Sequence, residues 1–138
     1  MLFRSLQRSA DYAATKGVIL GLENHGGICT RAERIIEMVN KVDSPWVAIN
    51  LDTGNFRTEA FKQIGMCLPQ SVNIQVKVEM MDDAGQRVRQ DWDRVVRMVA
   101  QSGYKGYLAL EYEAAEPALQ AVPRLMAQLR ELTRKYSA

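Results

Sequence analysis

The sequence is poor in the residues that build disulfide frameworks and zinc sites. It has a single histidine, His25, and two cysteines, Cys29 and Cys67, without a CxxC pair. Neither a disulfide network nor a cysteine zinc site is therefore indicated. Both thiols are typical of core or near-core positions in an intracellular protein.

Excess charge and long apolar runs are missing as well. The formal net charge is +2, from 18 basic and 16 acidic residues, which is not the signature of a protein that binds nucleic acid or an anionic membrane. The densest basic stretch, residues 87–97, alternates arginine with aspartate and predicts a solvated helix face. No apolar run approaches the roughly 18 residues of a membrane span, and the first residues lack a signal-peptide pattern. We therefore expect a cytoplasmic protein whose partners include neither nucleic acid nor a membrane.

Four apolar segments alternate with amphipathic helical patterns. The predicted strands cover residues 18–24, 46–52, 72–79 and 107–113. The predicted helices cover residues 2–15, 30–40, 56–67 and 91–102, with a last helix that begins near 117 or 122 and ends near 135. Strands that alternate with helices are joined by right-handed crossovers and lie parallel. We therefore predict an α/β fold of one helix followed by four parallel βα units, in a single domain of residues 1–138.

Each predicted strand has one apolar and one polar face. Successive side chains of a strand point to opposite faces, so Ile49 and Leu51 oppose Asn50 and Asp52. A doubly wound sheet would be apolar on both faces, whereas the interior of a (β/α)8 barrel carries polar groups in its top layer. We therefore predict half of a (β/α)8 barrel. A single-layer sheet with one wet face is the alternative.

Four strands cannot close a barrel, which takes about 200 residues or more. Half a barrel exposes its polar inner face and two unpaired edge strands, which promote association. Two explanations are open at this point. Two copies pair edge to edge into a homodimeric eight-stranded barrel, or the chain is the C-terminal half of a longer protein.

Four polar side chains lie near the ends of successive strands on the predicted inner face: Glu23, Asp52, Gln75 and Glu111. Carboxylates that converge in a partly closed site repel each other unless protons or a cation intervene. Oxygen ligands suit Mg²⁺ or Mn²⁺ better than zinc or copper. His25 shares the parity of Glu23, so it is a candidate ligand, general acid–base group or substrate contact, with a structural role as the alternative.

Lys77 lies on the same inner face and needs an acidic partner, because burying an unpaired ammonium is costly. The candidate partners are three acids: Glu79, Glu111 and Glu113. Lys77 then either polarises a substrate oxygen or forms a plain ion pair. Asn24 and Asn55 follow strands, and either bind substrate hydroxyls or support the turns.

Four segments at the strand ends resemble the successive motifs of the xylose-isomerase-like TIM-barrel superfamily. They read LENH at 22–25, NLDTGN at 50–55, QVK at 75–77 and LEYE at 110–113. The superfamily includes sugar-phosphate isomerases and epimerases and the AP-endonuclease-type enzymes. The resemblance covers nearly the whole chain and corresponds to strands five to eight of such a barrel.

The resemblance to the epimerase branch implies a divalent metal ion held by Glu, Asp, His and Glu from these four strands. It also implies that the two glutamates move the proton at the carbon beside the sugar carbonyl. By position, Glu23, Asp52 and Glu111 are the implied ligands, and Glu23 and Glu111 are the implied acid–base pair. The histidine position falls on Gln75, whose amide oxygen coordinates Mg²⁺ or Mn²⁺ more weakly than imidazole binds transition metals.

The resemblance adds two catalytic candidates, because His25 resembles the substrate-side histidine and Lys77 matches a lysine of the family. Two functions follow. The first is a metal-dependent isomerase or epimerase that acts on a small carbohydrate by proton transfer next to a carbonyl. The second is a non-catalytic, self-associating half-barrel with a remnant metal or sugar site. The endonuclease branch fits least, because it uses several histidines to bind zinc ions and this chain has one.

Overall fold

The computed structural model describes residues 2–137, with the side chains of residues 3–137. These residues form five α-helices: α1 (Leu2–Ala14), α2 (Ala32–Val42), α3 (Ala60–Cys67), α4 (Trp92–Gln101) and α5 (Ala118–Tyr136). They also form six strands: β1 (Leu20–Glu23), β2 (Val47–Asp52), β3 (Ser71–Lys77), β4 (Glu79–Met81), β5 (Arg87–Arg89) and β6 (Leu108–Glu111). Within the same residues, no helix has the length and apolar character that crossing a membrane requires.

The long strands form one parallel sheet in the order β1-β2-β3-β6. The register pairs residues near the strand ends: Glu23 with Asn50, Asp52 with Gln75, and Lys77 with Glu111. The predicted order of one helix followed by four βα units is therefore confirmed. Because all four strands run in the same direction, their carboxyl ends meet at one edge of the sheet, where the polar residues were expected.

Alternate side chains of the sheet pack against the helices. The completely buried apolar residues of the strands share one face: Ile49, Leu51, Ile74 and Val76. They join Ile35 of α2, Ile64 of α3 and Val95 of α4 in one core. Asn50 and Gln75, on the opposite face, are partly exposed. The predicted division into an apolar and a polar face is thus confirmed.

The segment after β3 differs from the prediction. The third strand was predicted to reach residue 79, whereas β3 ends at Lys77 and residues 79–89 form an antiparallel hairpin of β4 and β5. Its turn is stabilised by Asp82, whose Oδ1 accepts hydrogen bonds from the backbone N–H groups of Ala84 and Gln86. Arg87 and Arg89 therefore lie on a strand, and the prediction that residues 87–97 form one helix face was wrong for these two arginines.

The loop after β2 lies directly against β3 and the hairpin, and Gly54 makes this approach possible. A Cβ atom at Gly54 would lie 2.6 Å from the carbonyl oxygen of Glu79 and 2.8 Å from the Cβ of Lys77. Real Cβ atoms do not approach backbone so closely, and glycine is the residue that permits such contact. The loop that follows Asp52 is consequently held beside Lys77.

Candidate active site at the carboxyl ends of the strands

Three carboxylates converge at the carboxyl ends of the strands. Glu23 of β1, Asp52 of β2 and Glu111 of β6 each offer an oxygen, and these oxygens lie within 4.8 Å of one another. β1 and β6 are the two outer strands of the sheet, so side chains from both edges of the sheet meet at this end. The three acids come from a single chain, which means that no partner is needed to assemble them.

Lys77 lies among these acids and is 7% exposed. Its Nζ is 2.5 Å from Oε2 of Glu113, 3.4 Å from Oδ2 of Asp52 and 3.5 Å from Oε1 of Glu111. Two of the partners named from the sequence, Glu111 and Glu113, are therefore present, and Asp52 is an additional one. One ammonium thus faces three carboxylates.

Glu79 was the third candidate partner of Lys77, and this prediction was wrong because Glu79 belongs to the hairpin. Its carboxylate forms an ion pair with Arg87 on the neighbouring strand, at 3.3 Å. The side chains of Arg87 and Glu79 are 66% and 37% exposed, so the pair contributes little to stability.

Burial is the dominant electrostatic influence on Asp52. It raises the pKa of this carboxyl group to about 7, and the neighbouring Glu111 adds to the rise, while the backbone N–H of Gly54 and the charge of Lys77 oppose it. For Lys77, burial alone would lower the pKa, but the hydrogen bond to Glu113 and the charges of Asp52 and Glu111 together raise it. Lys77 therefore stays charged at neutral pH, whereas Asp52 exchanges its proton near neutrality.

Asn55 links two of the acids, Glu23 and Asp52. Its Nδ2 donates to Oδ2 of Asp52 at 2.8 Å and lies 3.4 Å from Oε1 of Glu23. The turn role considered from the sequence was therefore incomplete, because this amide also bridges two strand ends. No local sequence signal distinguishes the two roles.

His25 lies at the exposed mouth of the site, next to Glu23. Its Nδ1 is 2.8 Å from Oε1 of Glu23, and its side chain is 70% exposed. An imidazole in this position is free to meet a bound molecule while it remains in contact with the carboxylate. The geometry is therefore compatible with the substrate contact predicted for His25.

Gln75 pairs with Asp52 in the strand register, but its amide oxygen is already engaged. Oε1 of Gln75 accepts a hydrogen bond of 2.6 Å from Nδ2 of Asn50, a residue of the same inner face. A carbonyl oxygen has a second lone pair, so this bond does not by itself prevent coordination. It does hold the amide towards Asn50.

The donor set fits a hard divalent cation. Glu23, Asp52 and Glu111 supply carboxylate oxygens, which are the ligands that Mg²⁺ and Mn²⁺ prefer. Oε2 of Glu111 is buried and has no hydrogen-bond partner among the described residues. A buried carboxylate oxygen without a partner is costly, and a cation placed between the three acids would satisfy it.

Residues 1–132 match the sequence profile of the family described as Xylose isomerase-like TIM barrel. The chain belongs to this family, and the resemblance recognised at the strand ends is confirmed. No functionally curated protein matches the chain by sequence.

Solved structures share the fold at low sequence identity. A xylose isomerase domain protein from Planctomyces limnophilus superposes with a TM-score of 0.79 and 18% identity, over 99% of this chain and 52% of that one. The 3-keto-D-glucoside 4-epimerase from E. coli gives 0.76 and 18%, over 95% and 52%. The D-allulose 3-epimerase from Methylomonas sp. gives 0.66 and 21%, over 92% and 46%. The chain spans about half the length of these structures, which confirms the α/β half-barrel architecture.

Proposed function

We propose that this chain carries the active site of a divalent-metal-dependent sugar isomerase or epimerase. The observation that carries the proposal is the convergence of oxygens of Glu23, Asp52 and Glu111 within 4.8 Å of one another, with Lys77 next to Asp52 and Glu111. Membership of the xylose-isomerase-like family supports this chemical class. Two of the similar structures are epimerases of sugars or sugar derivatives, which supports a small carbohydrate as the substrate.

In the proposed reaction, Glu23 and Glu111 are the acid–base pair. One carboxylate removes the proton from the carbon next to the carbonyl, the electron pair of the broken C–H bond moves towards the carbonyl oxygen, and a proton then returns to carbon. Glu23, Asp52, Gln75 and Glu111 would hold a divalent ion, which would supply Lewis-acid polarisation of the carbonyl.

Two further side chains have supporting roles in this proposal. Lys77 holds a positive charge 3.4–3.5 Å from Asp52 and Glu111, close enough to donate to a substrate oxygen that enters between them. His25, exposed beside Glu23, contacts the part of the substrate at the mouth of the site. We also retain the prediction of a cytoplasmic location.

Two observations favour the alternative, a non-catalytic half-barrel with a remnant site. Lys77 is already a cation among the acids, and the fourth ligand position is Gln75, whose oxygen accepts from Asn50. An ion-pair cluster of this kind can persist without a metal ion when its hydrogen bonds are satisfied. The two functions therefore differ in whether the acids bind a divalent cation.

Thermal unfolding with Mn²⁺ or Mg²⁺ separates these functions. We expect the wild-type melting temperature to rise with metal concentration, since a ligand at a hundred times its Kd adds about 2.7 kcal/mol to the free energy of unfolding. Glu23→Gln should reduce the rise. The matched control is Glu33→Gln, which changes an exposed helical glutamate away from the site. The absence of any rise at millimolar metal would favour the remnant site.

We also propose that two copies complete the barrel, with β1 of each copy beside β6 of the other. Exposed apolar residues lead into both outer strands: Val18 and Ile19 before β1 are 51% and 46% exposed, and Tyr107 before β6 is 84% exposed. Cavities of about 620 Å³ and 430 Å³ lie beside β1 and β6. Pairing would also place two sets of three acids around one axis, so we expect divalent cations to strengthen it.

Light scattering tests the pairing. We expect a dimer with Mn²⁺ and a weaker dimer in a chelator. Val18→Asp should dissociate it by placing a charge at the β1 edge. Ile28→Asp should not, because Ile28 is 62% exposed and lines a different cavity, beside α2. A monomer under all conditions would contradict pairing. The remaining explanation would then be that another chain segment completes the barrel.

A further inference from the structure

The buried amide side chains of Asn24 and Gln90 form hydrogen bonds with the backbone of Asp52 and Thr53, one from each side. On the β1 side, Nδ2 of Asn24 donates to the carbonyl oxygen of Asp52, and the N–H of Asp52 donates to Oδ1 of Asn24, both at 2.8 Å. The register of β1 and β2 ends at the pair of Glu23 with Asn50. The amide of Asn24 therefore imitates a peptide group and extends the ladder to Asp52.

Gln90, which follows β5, forms the matching contact on the other side. Its Nε2 donates to the carbonyl oxygen of Thr53 at 2.8 Å, and its Oε1 accepts from Oγ1 of Thr53 at 2.7 Å. The same hydroxyl oxygen accepts from the backbone N–H of Lys77 at 3.2 Å. Gln90 thus connects the segment after Asp52 with the backbone of the lysine that faces it.

Burial makes the loss of these hydrogen bonds costly. Asn24 is 1% exposed, Thr53 is not exposed and Gln90 is 4% exposed. A buried amide that loses its partners retains the full cost of desolvation, so alternative positions of the Asp52–Thr53 backbone are unfavourable. The carboxylate of Asp52 is fixed in turn by the backbone N–H of Gly54, which donates to its Oδ1 at 2.8 Å.

We propose that Asn24 and Gln90 are positioning residues of the active site. They hold the segment 52–53 so that the Asp52 carboxylate meets both the cation and the ammonium of Lys77. This role rests on the proposed metal-dependent function. It also gives the hairpin of β4 and β5 a role in the site, because Gln90 directly follows β5 and contacts Thr53.

Gln63 provides a matched control for Gln90. It is also a buried glutamine, 2% exposed, and its amide also forms two hydrogen bonds, from the N–H of Ala32 at 2.8 Å and to the carbonyl oxygen of Thr58 at 2.7 Å. None of these bonds reaches Asp52, Thr53 or Lys77. Gln90→Met and Gln63→Met should therefore lower the melting temperature similarly and differ only in their effect on the site.

The first measurement is Mn²⁺ affinity by calorimetry, well below the melting temperature of each variant. We expect Gln90→Met to weaken binding roughly 10- to 100-fold, as changes to groups that orient metal ligands do, and Gln63→Met to leave it within about twofold. Equal weakening in both variants would show that Gln90 acts only through stability and would overturn the proposal.

The second measurement needs no metal ion, so it separates this proposal from the proposed function. The N–H of Gly54 reports the position of the Asp52 carboxylate, and we expect Gln90→Met to accelerate its hydrogen exchange by about tenfold or more relative to Gln63→Met. Wild type that fails to bind Mn²⁺ would reject the metal site but not this result. Unchanged exchange at Gly54 would reject the positioning role.

A second pair of variants applies if Gln90→Met does not fold. Thr53→Val removes the hydroxyl that contacts both Gln90 and the Lys77 backbone, and Thr53→Ser retains it. We expect Thr53→Val to reproduce the faster exchange at Gly54 and Thr53→Ser to restore the wild-type rate. Equal rates in the two variants would overturn the proposal.

Discussion

Replacing Lys77 with methionine should destabilise the metal-free protein by about 2 kcal/mol, which lowers the melting temperature by roughly 6–8 °C for a chain of this length. The change leaves Asp52 and Glu111 without the ammonium that lies 3.4 and 3.5 Å from them. Asp52 is completely buried, so its charge cannot be compensated by water. The loss should remain below that of a fully buried pair, because Asp52 can take up a proton.

The pH dependence of this loss follows from Asp52. Its pKa in the folded protein, about 7, is above the ordinary value of 3.8, so the folded state binds the extra proton between these values. The stability linked to that proton is complete below pH 4 and is lost as the pH rises through 7. Without Lys77 the folded pKa rises further. The difference between wild type and variant in a chelator should therefore be larger at pH 8 than at pH 5.5.

The replacement of Lys77 lowers the stability of the metal-free protein but should increase the stabilisation that a metal ion provides. Removing the ammonium leaves the acids uncompensated, so Mn²⁺ should raise the melting temperature of Lys77→Met more than that of wild type. The control is Lys62→Met, which breaks an exposed pair with Glu59 and should change little. An unchanged melting temperature for Lys77→Met in chelator at pH 8 would contradict the proposed charge balance.

Replacing Glu111 with glutamine should reduce the exchange of substrate carbon-bound hydrogen with D₂O by about 100-fold or more, the usual contribution of a general acid–base group. The variant keeps the size of the side chain but loses the carboxylate that is placed beside Asp52 and Lys77. Proton NMR of ketoses incubated with the assembled, Mn²⁺-loaded protein measures the exchange directly.

Glu116→Gln is the control for this experiment, because Glu116 is an acid paired with Arg124 at 2.7 Å outside the cluster. It should keep the wild-type exchange rate and the wild-type response to Mn²⁺. If Glu111→Gln retained exchange within about tenfold of wild type, the acid–base role of Glu111 would be wrong. If wild type bound Mn²⁺ but catalysed no hydrogen exchange in any ketose, the metal site would be supported and the proposed proton transfer would be contradicted.

Local patterns were sufficient to predict the order of the elements and the faces of the strands. The alternation of Val47, Ile49 and Leu51 with small or polar residues requires only that neighbouring side chains point in opposite directions. The positions of Glu23, Asp52 and Glu111 at strand ends follow from the same alternation. Parallel strands then place these ends at one edge of the sheet, so the sequence by itself determined which acids were candidates for one site.

Only the tertiary structure decided how these acids are held. It placed Lys77 against Asp52 as well as Glu111, ended β3 two residues early, and turned residues 79–89 into the hairpin that delivers Gln90. The physical reason is the range of the contacts. Asn24 and Asp52 are separated by 28 positions and Thr53 and Gln90 by 37, and an amide can pair with almost any polar group. Which partner it meets is therefore settled by the packing of the sheet, the loops and the hairpin rather than by neighbouring residues.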